Sequence, residues 1–240
     1  MLKKLVLLSF LFSTFLIKAT QPTQKDGFSG NFDLGLSFTK NNESTFQFNN
    51  LFIVKYKKSN SNFSLENNIA FISKTGKDDL LNKGTQDFKY AVNTKKLDVN
   101  ITLQNLYDLS RSVKNRYTSG VGIFYNSTDE EEKKIGVGLS VLKEKEIPLE
   151  GEKKIQNRMS SNLNLMIKIS NNITISSSNY YQPNIEQVGD FRWKSNITLR
   201  ITLSTHFLLN INSNLNYDSV PAEGIPETDY QLINSISYTF

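Results

Sequence analysis

The chain has 240 residues, of which 38% are hydrophobic and 21% charged, with one histidine and no cysteine. The lack of cysteine excludes disulfide scaffolds, thiolate metal sites, thiol nucleophiles and a lipid-modified N-terminal cysteine. Lys3, Lys4 and Lys18 supply three of the formal charges behind the net +5, and the small remainder argues against a nucleic-acid partner.

Residues 1–19 have the layout of a cleaved secretory signal. A short positive stretch precedes residues 5–17, which are apolar apart from Ser9, Ser13 and Thr14, and Ala19 precedes the polar run Thr20-Gln21-Pro22. That apolar run is shorter than the roughly 20 residues a spanning helix needs. The layout predicts cleavage near Ala19, a short segment over residues 20–27 and a single domain over residues 28–240.

From Phe28 onward the sequence alternates with a period of two. Phe28, Phe32, Leu34, Leu36 and Phe38 share one parity, with Asn31, Asp33 and Ser37 between them. The pattern recurs over residues 46–56 and 63–73, in a short segment over 88–92, and then over 97–107, 117–125, 135–141, 159–169, 173–181, 191–203, 207–217 and 230–240. The apolar parity of these twelve segments carries no charge, whereas the opposite parity carries Asp33, Lys55, Glu66, Lys89, Asp98, Lys168, Arg192, Lys194 and Arg200.

Two architectures accommodate this pattern. In a soluble barrel the apolar face points inward and can bind a small apolar ligand; in an outer-membrane barrel it points toward lipid. Most segments are near the 9–11 residues of a tilted spanning strand. Aromatics cluster at segment ends, including Tyr56, Tyr107, Tyr117, Tyr181, Trp193 and Tyr217, as interfacial girdles do. The segment count is even, and connections alternate in length. With the N-terminus on the periplasmic side, outer loops fall at 40–44, 74–85, 108–115, 142–156, 182–190 and 218–228. Inner turns fall at 57–62, 93–96, 126–134, 170–172 and 204–206. The expected fold is therefore all-β: a single antiparallel up-and-down transmembrane β-barrel of about twelve strands. Ile236, Tyr238 and Phe240 close the last alternating segment and resemble the signal read by the barrel-assembly machinery.

The chain from about Phe28 to Phe240 resembles the salt-induced outer-membrane protein family, which carries a domain of unknown function (481). The likeness rests on the Gly30–Leu36 stretch running into Asn41, on Tyr107-Asp108 through Arg116, and on Gly120-Val121-Gly122-Ile123-Phe124-Tyr125. It rests above all on Tyr217-Asp218-Ser219-Val220-Pro221 with Gly224 and Asp229. The first hairpin departs from the family's Gly-Asn pair with Lys40-Asn41-Asn42. The resemblance implies an outer-membrane β-barrel and brings no catalytic residues.

Candidate chemistry is sparse. His206 falls in an inner turn, at the wrong end for a barrel hydrolase with a rim triad. The acidic run 129–132 lacks the spaced ligands and glycine of a Ca²⁺ loop. Gly120, Gly122, Gly136 and Gly138 lie on the polar parity of adjacent strands, where they either leave the lumen smooth or relieve crowding at a sharp bend. Arg192, Lys194 and Arg200 are expected to form a basic ladder on one lumen face, with Asp33, Glu66 and Asp98, or the loop acids Asp190 and Asp218, as candidate partners. The expectation is a monomeric or weakly associated outer-membrane protein surrounded by lipid. It is non-enzymatic, envelope-structural or a passive small-solute channel, and takes no metal or other cofactor.

Overall fold

The computed structural model describes residues 26–40, 44–74, 81–94, 97–126 and 132–240. The signal reading of residues 1–19, most of segment 20–27 and most of the acidic run 129–132 lie outside the described residues. Twelve strands form one closed antiparallel barrel in chain order. They are β1 Gly27–Lys40, β2 Ser44–Lys58, β3 Ser61–Lys74, β4 Leu81–Asn93, β5 Leu97–Asp108 and β6 Val113–Asn126, followed by β7 Lys133–Pro148, β8 Lys154–Ser170, β9 Ile173–Pro183, β10 Phe191–Thr202, β11 Phe207–Asp218 and β12 Thr228–Thr239. The expected fold class and strand number are those observed.

Alternation sets the facing, because successive side chains of a strand point to opposite sides of the sheet. Leu97, Val99, Ile101 and Leu103 on β5, and Ile135, Val137, Leu139 and Val141 on β7, are exposed on the outer wall. The buried side chains are mostly polar and line the interior: Asp33, Arg158, Asn210 and Ser237 among them. This inverts the layout of a soluble protein and suits a wall that faces lipid. Aromatic rings ring the wall at both strand ends. Phe28 lies 4.6 Å from Tyr56 and Phe63 4.7 Å from Tyr90 at the end with short turns. Phe191 lies 5.5 Å from Tyr181 and 5.4 Å from Tyr217 at the end with longer loops.

Three outer loops differ from the sequence expectation. β4 starts at Leu81, although residues 74–85 read as a loop. Gly84 and Gln86 break the apolar parity there, but the Tyr107 ring lies over Gly84 so closely that a Cβ would meet it at 2.6 Å, and β5 thereby supplies the missing outer surface. The loop expected at 108–115 shrinks to a 3-10 turn, Leu109–Arg111, ended by Ser112 at φ 61°. The loop expected at 142–156 is mostly strand, because β7 runs to Pro148 and β8 starts at Lys154. Lys143-Glu144-Lys145-Glu146 falls within that expected loop, yet it keeps the period of two, with exposed lysines alternating with inward acids.

Gly120, Gly122 and Gly138 relieve crowding. A Cβ at Gly120 would overlap Leu142, one at Gly122 would overlap Ser140 and approach the Leu139 carbonyl oxygen at 2.8 Å, and one at Gly138 would meet Asn162 and the Phe124 ring. Gly122→Val should therefore cost about 1–3 kcal/mol by overpacking. A urea titration of the barrel in vesicles checks this, and an unchanged midpoint would show that the neighbours yield freely.

The seam that closes the ring is short. β1 and β12 share four register pairs, from Asn31↔Thr239 to Leu34↔Ile236, whereas β1 and β2 share fourteen. Gly30 and Phe240 extend the seam by a reciprocal pair of backbone hydrogen bonds, each 3.2 Å.

Candidate functional site

At the loop end, three arginines from three strands converge inside the barrel on four carboxylates. Arg192 of β10 reaches across the lumen to β7. Its Nη1 donates to Glu144 Oε1 and Oε2 at 2.7 and 2.9 Å, and its Nη2 to Glu146 Oε2 at 3.2 Å. Its Nε donates to Asp218 Oδ2 at 3.0 Å. Arg116 of β6 donates from Nε to Glu146 Oε2 at 2.7 Å, and its Nη2 lies 2.5 Å from the same oxygen. Arg158 of β8, 1% exposed, grips Asp190 with Nη2 at 2.8 and 2.9 Å. It also donates to the Gln182 carbonyl at 3.1 Å and to Gln156 Oε1 at 3.0 Å, and its Nε stands 3.8 Å from Glu144. Charges in so little water persist only when paired and hydrogen-bonded.

Local backbone explains how the acids get there. Gly189, at φ +93°, lies inside a tight turn closed by the Asp190 N–H on the Gln187 carbonyl at 3.3 Å. L side chains disfavour that conformation, so glycine there delivers Asp190 to Arg158. Asp218 ends β11 and accepts the Val220 N–H at 3.2 Å as well as Arg192. Ser219 Oγ accepts from the Phe191 N–H and donates to the Gly189 carbonyl, both at 2.8 Å. The Tyr-Asp-Ser-x-Pro turn that carries the family resemblance thus fastens two neighbouring loops and supplies one carboxylate to the network. Further loop contacts lie over the same end: Arg111 donates to the Pro226 carbonyl at 3.0 Å.

Beside this network lies a cavity of about 790 Å³, lined by Lys83, Tyr180, Lys194, Asn214 and Gln231 among others and reaching down to Asp33 and Glu66. Lys83 of β4 pairs across it with Asp229 of β12 at 3.4 Å. Toward the turn end, Asn210, 1% exposed, bonds to Ser237 and reaches Asp33 Oδ2 at 3.4 Å.

The three residues of the expected basic ladder therefore occupy three settings. Arg192 is spent on acids. Lys194 lines the cavity and, among the described residues, has no carboxylate within 4 Å. Arg200 donates to Asn210 Oδ1 at 3.2 Å. Of the suggested partners, Asp218 meets Arg192, whereas Asp190 meets Arg158; Asp33 engages Asn31 and Asn210. Sequence reasoning missed Arg158, Glu144 and Glu146; the unbroken alternation through residues 143–146 was the signal for the acids. His206 sits in the β10–β11 turn with Nδ1 3.2 Å from the Thr239 carbonyl. Among the described residues no cluster of His, Asp and Glu could hold a metal ion. Ile236 is exposed on the outer wall, Tyr238 stacks edge-on against Phe207 at 5.6 Å, and Phe240 bonds to Gly30.

A closed twelve-stranded barrel with an apolar outer wall and a charged, partly hollow interior belongs to the class of transmembrane β-barrels. The family model for a protein of unknown function, DUF481, matches residues 32–240, and the chain belongs to that family. The NanC porin is similar in structure, with a TM-score of 0.55 at 9% identity, over 89% of this chain and 100% of that one. An outer-membrane channel from Pseudomonas putida F1 gives a TM-score of 0.51 at 10% identity, over 92% of this chain and 100% of that one. The translocator domain of the autotransporter NalP from Neisseria meningitidis gives 0.50 at 8% identity, over 90% and 89%. These likenesses establish the fold. No curated protein matches the sequence.

Proposed function

We propose that this protein is a passive, non-enzymatic channel for small polar solutes in the bacterial outer membrane, reached through the periplasm after removal of residues 1–19. The cavity of about 790 Å³ within a lipid-facing wall is the observation that carries this reading. The resemblance to salt-induced outer-membrane proteins supports the location, as do aromatic rings at both strand ends. In this orientation the loop end faces outward and the short turns face the periplasm. The last strand, with Ile236, Tyr238 and Phe240 at the closing seam, is the segment offered to the assembly machinery.

Arg192, Lys194 and Arg200 act unequally in this channel. The charge of Arg192 is offset by Glu144, Glu146 and Asp218, so within the ladder any contribution to anion preference comes from Lys194 and Arg200, since unpaired positive charge beside a narrow path attracts anions. Planar-bilayer recordings under a salt gradient test both claims. Wild type should conduct with a reversal potential on the anion side, and Lys194→Gln with Arg200→Gln should move it toward zero. A folded barrel without conductance would overturn the channel; an unmoved potential would remove the two bases from selectivity.

A further inference from the structure

The outer wall carries a second hollow, of about 530 Å³, on the face opposite the lumen cavity. Its apolar part is formed by Leu65, Phe88 and Leu103, each exposed on the wall. The hollow exists because Ser119, a small residue, stands in register between Leu103 of β5 and Lys143 of β7. One rung nearer the loop end, Tyr117 stands between Asn105 and Lys145. The hollow thus runs around the wall from bare hydrocarbon surface to two lysines, with Lys145 between Tyr117 and the exposed Ile155.

Two observations give this hollow an occupant. Lys143 and Lys145 are exposed, and among the described residues neither has a carboxylate within 4 Å. The carboxylate of Glu186, on the nearby β9–β10 loop, is held instead by Asn157 at 2.6 Å. Second, a polar seam runs along the hollow. Gln86 Nε2 donates to Asn67 Oδ1 at 3.3 Å, and Asn105 Nδ2 donates to Gln86 Oε1 at 2.9 Å. The chain of amides leaves Asn105 Oδ1 buried without a partner, and a polar seam of this kind fits the glycerol-ester zone of a lipid better than mid-chain hydrocarbon. Lysines at such a depth extend their stems along apolar surface and place their ammonium groups at the headgroup level.

We propose that this hollow binds one membrane lipid with an anionic phosphate headgroup. The phosphate sits on Lys143 and Lys145, the ester region along Asn105 and Gln86, and an acyl chain over Leu103, Phe88 and Leu65. Basic side chains at a membrane surface attract anionic lipid, and the hollow converts that attraction into a single site. The proposal rests on the membrane-barrel reading.

Native mass spectrometry of the full chain released from detergent tests it, with phosphatidylglycerol and phosphatidylcholine of identical chains as probes. Wild type should retain one phosphatidylglycerol per barrel, roughly tenfold more readily than phosphatidylcholine. Lys143→Gln with Lys145→Gln should abolish the preference, and Ser119→Trp, which fills the hollow, should abolish retention of either lipid. Equal retention of both lipids by wild type, an undiminished preference in the lysine variant, or a mass showing a second copy in place of lipid would each overturn the site. Insertion of the wild-type and lysine-variant samples into vesicles, followed by Trp193 emission, separates the two readings. Insertion without lipid preference overturns the site alone; failure to insert overturns the channel with it.

Discussion

Replacing Glu144 by alanine is expected to destabilise the barrel by about 3–5 kcal/mol, the usual cost of removing one partner from a buried ion pair. Glu144 accepts both short bonds from Arg192 Nη1 and stands within ion-pair reach of Arg116 and Arg158. Its loss leaves three guanidiniums sharing Glu146, Asp190 and Asp218, with Arg192 retaining its bonds to Glu146 and Asp218. Urea unfolding in lipid vesicles measures the effect, with the single tryptophan, Trp193, as reporter. A coupling test refines it: Glu144→Leu combined with Arg192→Leu should cost clearly less than the sum of the two changes, because residues sharing one network are not additive. Additive costs would show that the two side chains act separately.

The second large effect distinguishes the two faces of one strand. Leu199 and Thr198 are neighbours on β10; Leu199 packs beside Ile175 and Ile211 on the outer wall, while Thr198 Oγ1 donates to Asn212 Oδ1 at 2.7 Å on the lumen side. Arginine at Leu199 should cost about 2–4 kcal/mol near the bilayer midplane. Arginine at Thr198 should be milder, since it enters a polar interior among Asn196, Asn212 and Asn214. The same titration decides, and the reverse order of costs would invert the assignment of inside and outside.

What could be read in the sequence follows from what a period of two encodes. Parity gives the facing of each side chain, so the twelve strands, the apolar wall and the inward placement of Asp33, Glu66 and Arg192 were legible. The short turns were legible as well, because Ser59-Asn60 and Asn171-Asn172 interrupt the alternation. Parity is silent about position around the ring. Arg192 finds Glu144 three strands away, and nothing in the spacing of residues 144 and 192 announces that pairing. Where the alternation continued in charged residues, as at 143–146, composition suggested solvent and hid the extension of β7. Where the apolar parity lapsed, as at Gly84, the compensating Tyr107 came from the neighbouring strand and was invisible to a local reading.

The closing seam has a mechanical consequence. A cylinder of staves under lateral pressure carries hoop stress around its whole circumference, and it parts where the fastening is least. Every joint between consecutive strands has nine to fourteen register pairs, while the joint between first and last has four and one terminal pair of bonds. Unpaired strand edge is costly in hydrocarbon, so above Leu34 and Ile236 the wall is held by side-chain packing and by the adjoining strands more than by direct ladder. Circumferential strain from lipid packing is therefore concentrated along one line of the wall. The buried Asp33, Asn210 and Ser237 cluster lies just inside that line, as a rivet behind the joint.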